Sequence, residues 1–335
     1  MATCKILSID GGGIRGIIPG RILAEVEART GKKAADLFDF IAGTSTGGIL
    51  ALGLVKPNLA GTGSQFSARD LVQLYEENGS TIFSRSLWHA VEALDNLDGP
   101  KYPDTGIEKV MQTYFGAVRL KEARTPVLVP AYDIERRYPF FFRSARAKQD
   151  AAFDFPMWQV ARATSAAPTY FPPEQLGPPT DTATLIDGGV FANNPTLCAY
   201  IDALQTHTWD DYLVVSLGTG NADRRIPYDK AKNWGLAGWA HPLIDIFGDG
   251  VNDTTDYQMQ ELLQGGTQKY FRFQMDLPSA NQELDDTRAD TIQALNVVAD
   301  KFIQQQDKLL ADLCKTLRAA PDRGASALVT EAPRV

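Results

Sequence analysis

Apolar residues along the chain fall into two rhythms. Cys4 to Ile9 is a short continuous run, and Ile17, Ile18, Ile22, Leu23 and Val26 then recur at helical spacing. The same strand, turn and helix plan repeats in "FDFIAGTSTGGILALGLV", with a strand over Phe38 to Ala42 and an apolar helix after a polar turn. "TPVLVPAYDI" and "RYPFFFRS" predict two strands around a turn at Glu135 to Arg137. "WQVARATSAAP" predicts a helix that stops before Pro168, and "ATLID" a strand closed by Gly188 and Gly189. Asn194 then caps a helix with Pro195 at its first position. "YLVVSLGTG" reads as a buried strand and "QKYFRFQM" as an alternating one. Between Ile226 and Gly266 tryptophans, Pro242 and scattered glycines predict loops and short helices. Past Asp285 one long amphipathic helix is expected, its stripe made by Ile292, Leu295, Ala299, Phe302, Leu309, Leu313 and Leu317. Strands alternating with helices imply an α/β layered fold with a mostly parallel sheet.

Three of the turns are glycine-rich. The first, Gly11-Gly12-Gly13-Ile14-Arg15-Gly16, matches a dinucleotide-binding pattern. That reading needs an acidic residue at the end of the second strand. Asp36 and Asp39 precede that strand, and the position after it is held by Gly43-Thr44-Ser45-Thr46-Gly47, so a nucleotide is disfavoured. The second turn fits GxSxG. Small residues flank such a serine because the backbone reverses sharply from strand to helix, which would present Ser45 at the carboxyl end of the sheet. An ordinary Ser/Thr-rich helix cap is the plainer alternative. The third turn, Asp187-Gly188-Gly189, places a carboxylate at a strand end, where it could reach that serine or simply form a turn.

The histidines are His89, His207 and His241. The order Ser45, Asp187, then His207 or His241 suits a hydrolase triad. However, His207 ends a predicted helix, where a cation favours the dipole. His241 sits in an irregular segment and His89 in a predicted helix. A Ser-Asp pair without histidine is the alternative.

Composition narrows the partners. The chain has 335 residues, a net charge of −8 and 44% hydrophobic residues. The acidic balance excludes a general nucleic-acid binder and disfavours docking on anionic lipid by charge alone. Cys4, Cys198 and Cys314 are far apart, which predicts neither a disulfide framework nor a zinc site. Asp210-Asp211 and Asp285-Asp286 lack metal-loop spacing and are expected in solvent. No metal or other cofactor is expected. No signal-peptide pattern and no membrane-length apolar run is present, so a cytoplasmic protein is expected.

Taken together, "DGGGIRG", "GTSTGG" and "DGG", with "ATSAAPTYFPP" and "DGGVFANNPT", resemble the motifs of patatin-like phospholipases. The likeness covers roughly Lys5 to Gly220. It implies a three-layer sandwich, a mostly parallel central sheet flanked by helices. Residues 1–220 would form the catalytic core, 221–320 the C-terminal part of the same domain, and 321–335 a loose tail. The resemblance further implies a Ser-Asp dyad of Ser45 as nucleophile and Asp187 as general base. The amides of Gly11, Gly12 and Gly13 would be the oxyanion hole, with Arg15, Gly16, Gly43, Gly47, Gly188 and Gly189 in support. The implied activity is lipid acyl hydrolysis on glycerolipids at a membrane surface, with "YPFFFR" or "SRSLWHAVEAL" as lipid-contacting candidates against plainer core and cap roles. Two rivals stand beside it: a storage or binding protein, and an antiphage phospholipase effector switched on by a cyclic nucleotide held between Ile226 and Gln274. Homo-oligomerisation is left open.

Overall fold

The computed structural model describes residues 3–84, 99–177, 181–206, 209–222, 225–264, 269–278 and 283–319. "SRSLWHAVEAL" (apart from Ser84), His89, His207 and the tail from residue 320 lie outside them. In chain order the main elements begin with β1 (Thr3–Ile9), α1 (Ile17–Thr30), β2 (Phe40–Gly43), α2 (Thr46–Val55), α3 (Ala68–Ile82) and α4 (Asp104–Phe115). There follow β3 (Val127–Asp133), β4 (Tyr138–Arg143), α5 (Met157–Thr164), β5 (Glu174–Leu176), β6 (Ala183–Asp187), α6 (Thr196–Thr206) and β7 (Asp211–Leu217). The chain continues through a two-residue strand β8 (Asn221–Ala222), α7 (Leu236–Leu262), β9 (Lys269–Phe273), β10 (Asp276–Leu277), α8 (Ala289–Gln305) and α9 (Asp307–Ala319).

The main sheet runs β5-β6-β3-β2-β1-β7-β9, with β4 added on β3. β3, β2, β1, β7 and β9 are mutually parallel, while β4 and β6 pair antiparallel to β3 and β5 to β6. Alternate side chains of each central strand enter two apolar layers. Leu7, Ile9, Ile41, Val129 and Val215 face a large core shared with α1 to α5, α8 and α9. Cys4, Ile6, Phe40, Ala42, Leu128 and Val214 face a smaller one with Ala199 and Ala203 of α6 and Met259 of α7. A strand covered on both faces has no polar side to show, which is why these segments read as continuous apolar runs. The mixed α/β sandwich with a mostly parallel sheet is thus the fold the sequence implies.

β3 explains how the sheet builds its site. Leu128 pairs with both Arg143 of β4 and Ala42 of β2, whereas Ala131 pairs with Phe140 of β4 and Asp187 of β6. β2 and β6 therefore share one edge of β3, β2 along its start and β6 along its end. The end of β6 arrives just beyond the point where β2 stops. The "FFF" run lies in β4, with Phe142 buried and none of the three rings at the cavity described below, so it is core strand.

Three expectations change. Residues 236–262 form one 27-residue helix despite Pro242 inside it. A proline removes one helical hydrogen bond, but the second half of the helix is held by burial of Thr255 and Met259. The expected long C-terminal helix is two helices. Its stripe is continuous, but Arg29 takes both the carboxylate (2.8 Å) and the carbonyl oxygen (3.3 Å) of Asp307 at the junction. Asp285 is not solvated, and Asp286 is only partly so. The Asp285 carboxylate is buried against Lys101 and accepts the Tyr102 hydroxyl at 2.7 Å, and Asp286 is held by Arg288 at 2.6 Å.

Candidate active site

The register aligns Ile9 with Gly43 on one side and with Leu217 on the other. Three turns therefore leave the carboxyl edge of the sheet together, at the strand where the winding direction reverses. This is where open α/β sheets form ligand crevices. The first turn runs from Asp10 through Gly13, after which a 3-10 turn (Gly13–Gly16) leads into α1. The second carries Ser45 into α2. The third, after β7, supplies Thr219 and Gly220 to the same cavity.

Ser45 has φ 54° and ψ −122°, a conformation that an L-residue adopts at a cost. The surroundings impose it. Its amide donates to Thr164 Oγ1 at 3.0 Å, and that hydroxyl donates to the Pro130 carbonyl at 2.6 Å. The neighbouring Thr44 hydroxyl donates to the Ala192 carbonyl at 2.6 Å, tying the elbow to the Asp187 turn. Gly47 packs against the backbone carbonyl of Ile9 so closely that a Cβ would clash with it.

Asp187 ends β6 and is buried beside the cavity. Ser45 lines the same cavity and its side chain favours the charged carboxylate, and the Gly189 amide donates to Oδ1 at 2.7 Å. Burial pushes the carboxyl up to about 6, against the lowering effect of the Ser45 side chain and the Gly189 amide. Asp187 is thus the side-chain partner of the serine. His241 falls within α7, and its side chain is not among those described.

The glycine loop divides by what its amides do. Gly11 lines the cavity, but its amide donates to the Asn193 carbonyl at 3.0 Å. It is therefore not a free donor, which corrects the expected trio. The Ile14 amide is likewise taken by the Leu284 carbonyl at 2.8 Å and that of Arg15 by the Gly12 carbonyl at 3.2 Å. The amides of Gly12 and Gly13 have no acceptor among the described residues, and both glycines line the cavity. Gly13 has φ +57°, and the Leu284 carbonyl fills the space a Cβ would need. Arg15 lines the cavity and donates Nε to the Gly12 carbonyl at 3.4 Å. Gly16 makes room for the Thr46 hydroxyl and Gly188 for the Pro130 carbonyl.

The loop also rests on residues to which the sequence motifs assign no role. Asp10 is buried and paired with Arg272 of β9, Oδ2 to Nη2 at 2.6 Å and Oδ1 to Nη1 at 3.1 Å. Burial raises the Asp10 carboxyl and Arg272 partly offsets it. The Thr219 hydroxyl donates to the Gly11 carbonyl at 2.7 Å, and Asn193 Nδ2 donates to Asn252 Oδ1 of α7 at 3.1 Å.

These groups surround a cavity of about 270 Å³. One wall is apolar, made by Ile49, Ile82, Phe83, Ile107 and Phe171, while the other carries Thr219, Asn221 and Asn252.

A family model described as patatin-like phospholipase matches residues 7–200. The chain belongs to the patatin-like phospholipase family. Patatin-like protein 4 of Arabidopsis thaliana is 33% identical, the match covering 89% of this chain and 82% of that protein. Patatin-like protein 2 of Oryza sativa subsp. indica is 31% identical over 90% of this chain and 84% of its own length. The similarity therefore runs past the family match into the C-terminal third. Among solved structures, VipD from Legionella pneumophila is similar with a TM-score of 0.42 and 12% identity, over 90% of this chain and 67% of that one. Family membership supports lipid acyl hydrolysis as the general activity.

Proposed function

We propose that this patatin-like chain is a phospholipase A-type lipid acyl hydrolase working through a Ser45–Asp187 dyad and an acyl-enzyme. The observation that carries the reading is that Ser45, on its strained turn, and the buried Asp187 carboxylate meet in one mostly apolar cavity, with the serine side chain favouring the charged carboxylate. Ser45 Oγ attacks the ester carbonyl of a membrane glycerolipid, and Asp187 takes the hydroxyl proton. The tetrahedral oxyanion sits on the amides of Gly12 and Gly13 near the start of α1, whose dipole favours negative charge. Collapse expels the lysolipid oxygen, which takes the proton back from Asp187, and leaves the acyl group on Ser45. Water, deprotonated by the same carboxylate, then releases the fatty acid. A carboxyl raised to about 6 is a stronger base than an exposed aspartate while still ionised at neutral pH. The acyl chain lies along the Ile49, Phe83 and Phe171 wall, and Arg15 braces the loop. No histidine takes part in this scheme.

The test is product analysis by mass spectrometry after incubation with a mixed glycerolipid extract. Free fatty acid and lysolipid are expected from the parent chain, and neither from Ser45→Ala or Asp187→Ala proteins with unchanged circular dichroism. Loss of turnover in His207→Ala or His241→Ala equal to that of Ser45→Ala would replace the dyad with a triad. A parent chain that binds lipid and releases no product would leave a binding protein.

A further inference from the structure

The first half of α7 is poor in charge and partly exposed. Residues 236–248, "LAGWAHPLIDIFG", contain one charged side chain, Asp245, and no lysine or arginine. A helix apolar all round is normally buried in a core or in lipid. Among the described side chains of α7, none is fully buried before Thr255. Phe247 is 61% exposed, Ile246 40% and Trp239 37%, and Trp239 stacks edge-on against Trp234 with centroids 5.2 Å apart. Val190, on the turn after Asp187, is 41% exposed and shares a cavity with Phe247.

This apolar surface is continuous with the candidate active site. Phe247 and Val190 are exposed on their outer sides and line the Ser45 cavity on their inner sides. An acyl chain moving from a bilayer to Ser45 would cross this rim without passing through water. We infer that the first half of α7, with Val190, is an interfacial docking surface that seats the cavity mouth on the apolar boundary of a lipid bilayer. The inference rests on the lipid-hydrolase reading and names the surface by which that site meets its substrate.

The charge pattern fixes the kind of surface. A segment whose one formal charge at neutral pH is Asp245, in a chain of net charge −8, gains little from anionic head groups, Lys230 over the Trp234 ring being a nearby cation. Its binding comes from buried apolar area, with tryptophan suited to the interface. The partner is therefore a zwitterionic bilayer, bound with little dependence on salt.

The experiment uses the full chain with Ser45→Ala, so that turnover does not alter the vesicles. Co-flotation is measured with phosphatidylcholine vesicles and with vesicles containing phosphatidylglycerol, at low and high salt. The parent is expected to float with both, salt-independently. Adding Trp239→Glu and Ile246→Glu, neither of which lines the cavity, is expected to lower the partition coefficient at least tenfold. With Ser45 restored, the same double variant is expected to hydrolyse a soluble short-chain ester within twofold of the parent and vesicle lipid at least tenfold more slowly. Equal flotation of parent and variant would overturn the proposal. So would flotation that requires phosphatidylglycerol and vanishes with salt. A parent that is a dimer by light scattering and becomes a monomer in the variant would also overturn it, because a second copy would then cover this face. A parent that floats but leaves the soluble ester intact would support the docking surface and reject the hydrolase reading.

Discussion

Asp187 does two jobs that pull against each other. Burial holds its carboxyl at about 6 instead of the ordinary 3.8. As the base it must be ionised, so kcat/KM is expected to be half-maximal near pH 6, falling about tenfold per unit below that. For stability the sign is opposite. Between 3.8 and about 6 the folded chain holds a proton that the unfolded chain has released. The associated stability is complete below pH 3.8 and is lost as pH rises through 6, about 3 kcal/mol in all. Asp187→Asn is therefore expected to abolish turnover while raising unfolding stability by about 1–3 kcal/mol at pH 8, with the gain gone at pH 4, as measured by urea titration. Ser45, Asp187 and the glycines were legible because turn geometry demands particular residue types. The bracing roles of Thr164, Asn193 and Thr219 were not, although two of them fall within the quoted motifs, since a hydroxyl or amide that reaches a distant group looks like any other in sequence. The fate of the Gly11 amide was hidden for the same reason: its acceptor is the carbonyl of Asn193.

At the scale of elements, β1, β2, β3 and β7 were legible from their apolar runs, and α1 from its stripe. The turn into α2 depends on a backbone approach that only glycine permits. Gly47→Ala is expected to cost about 1–3 kcal/mol in a urea titration, because the added methyl meets the Ile9 carbonyl and neither backbone can give way. Activity should fall with it, since Ile9 and Gly47 flank the oxyanion loop and the serine turn. α7 escaped the sequence reading because proline and glycine are local signals, whereas the helix is held by burial on its far half. The break between α8 and α9 was invisible because the apolar stripe crosses it unchanged, while the contact made at the junction comes from Arg29 on another helix.

Across the whole molecule, the C-terminal third completes the site built by the first two. β9 extends the sheet beyond β7 and delivers Arg272 to Asp10, one residue ahead of the glycine loop. Removing one partner of a buried ion pair leaves the other charge uncompensated. Arg272→Leu is expected to destabilise the fold by about 3–5 kcal/mol, with Asp10→Asn in the same chain recovering part of that loss in a urea titration. A truncation before β9 should likewise lose activity, although Ser45 and Asp187 both precede it. Sequence patterns named the strand but not this pairing, whose partners are 262 positions apart.

In the proposed reaction Ser45 becomes acylated with Asp187 as its base. Peptide mapping by mass spectrometry after reaction with an acyl ester under rapid quench tests it directly. A single acyl adduct is expected on the peptide containing Ser45, absent in Ser45→Ala and at least a hundredfold slower to form in Asp187→Asn. An adduct on a different residue, or unimpaired acylation of Ser45 in the Asp187→Asn protein, would contradict it.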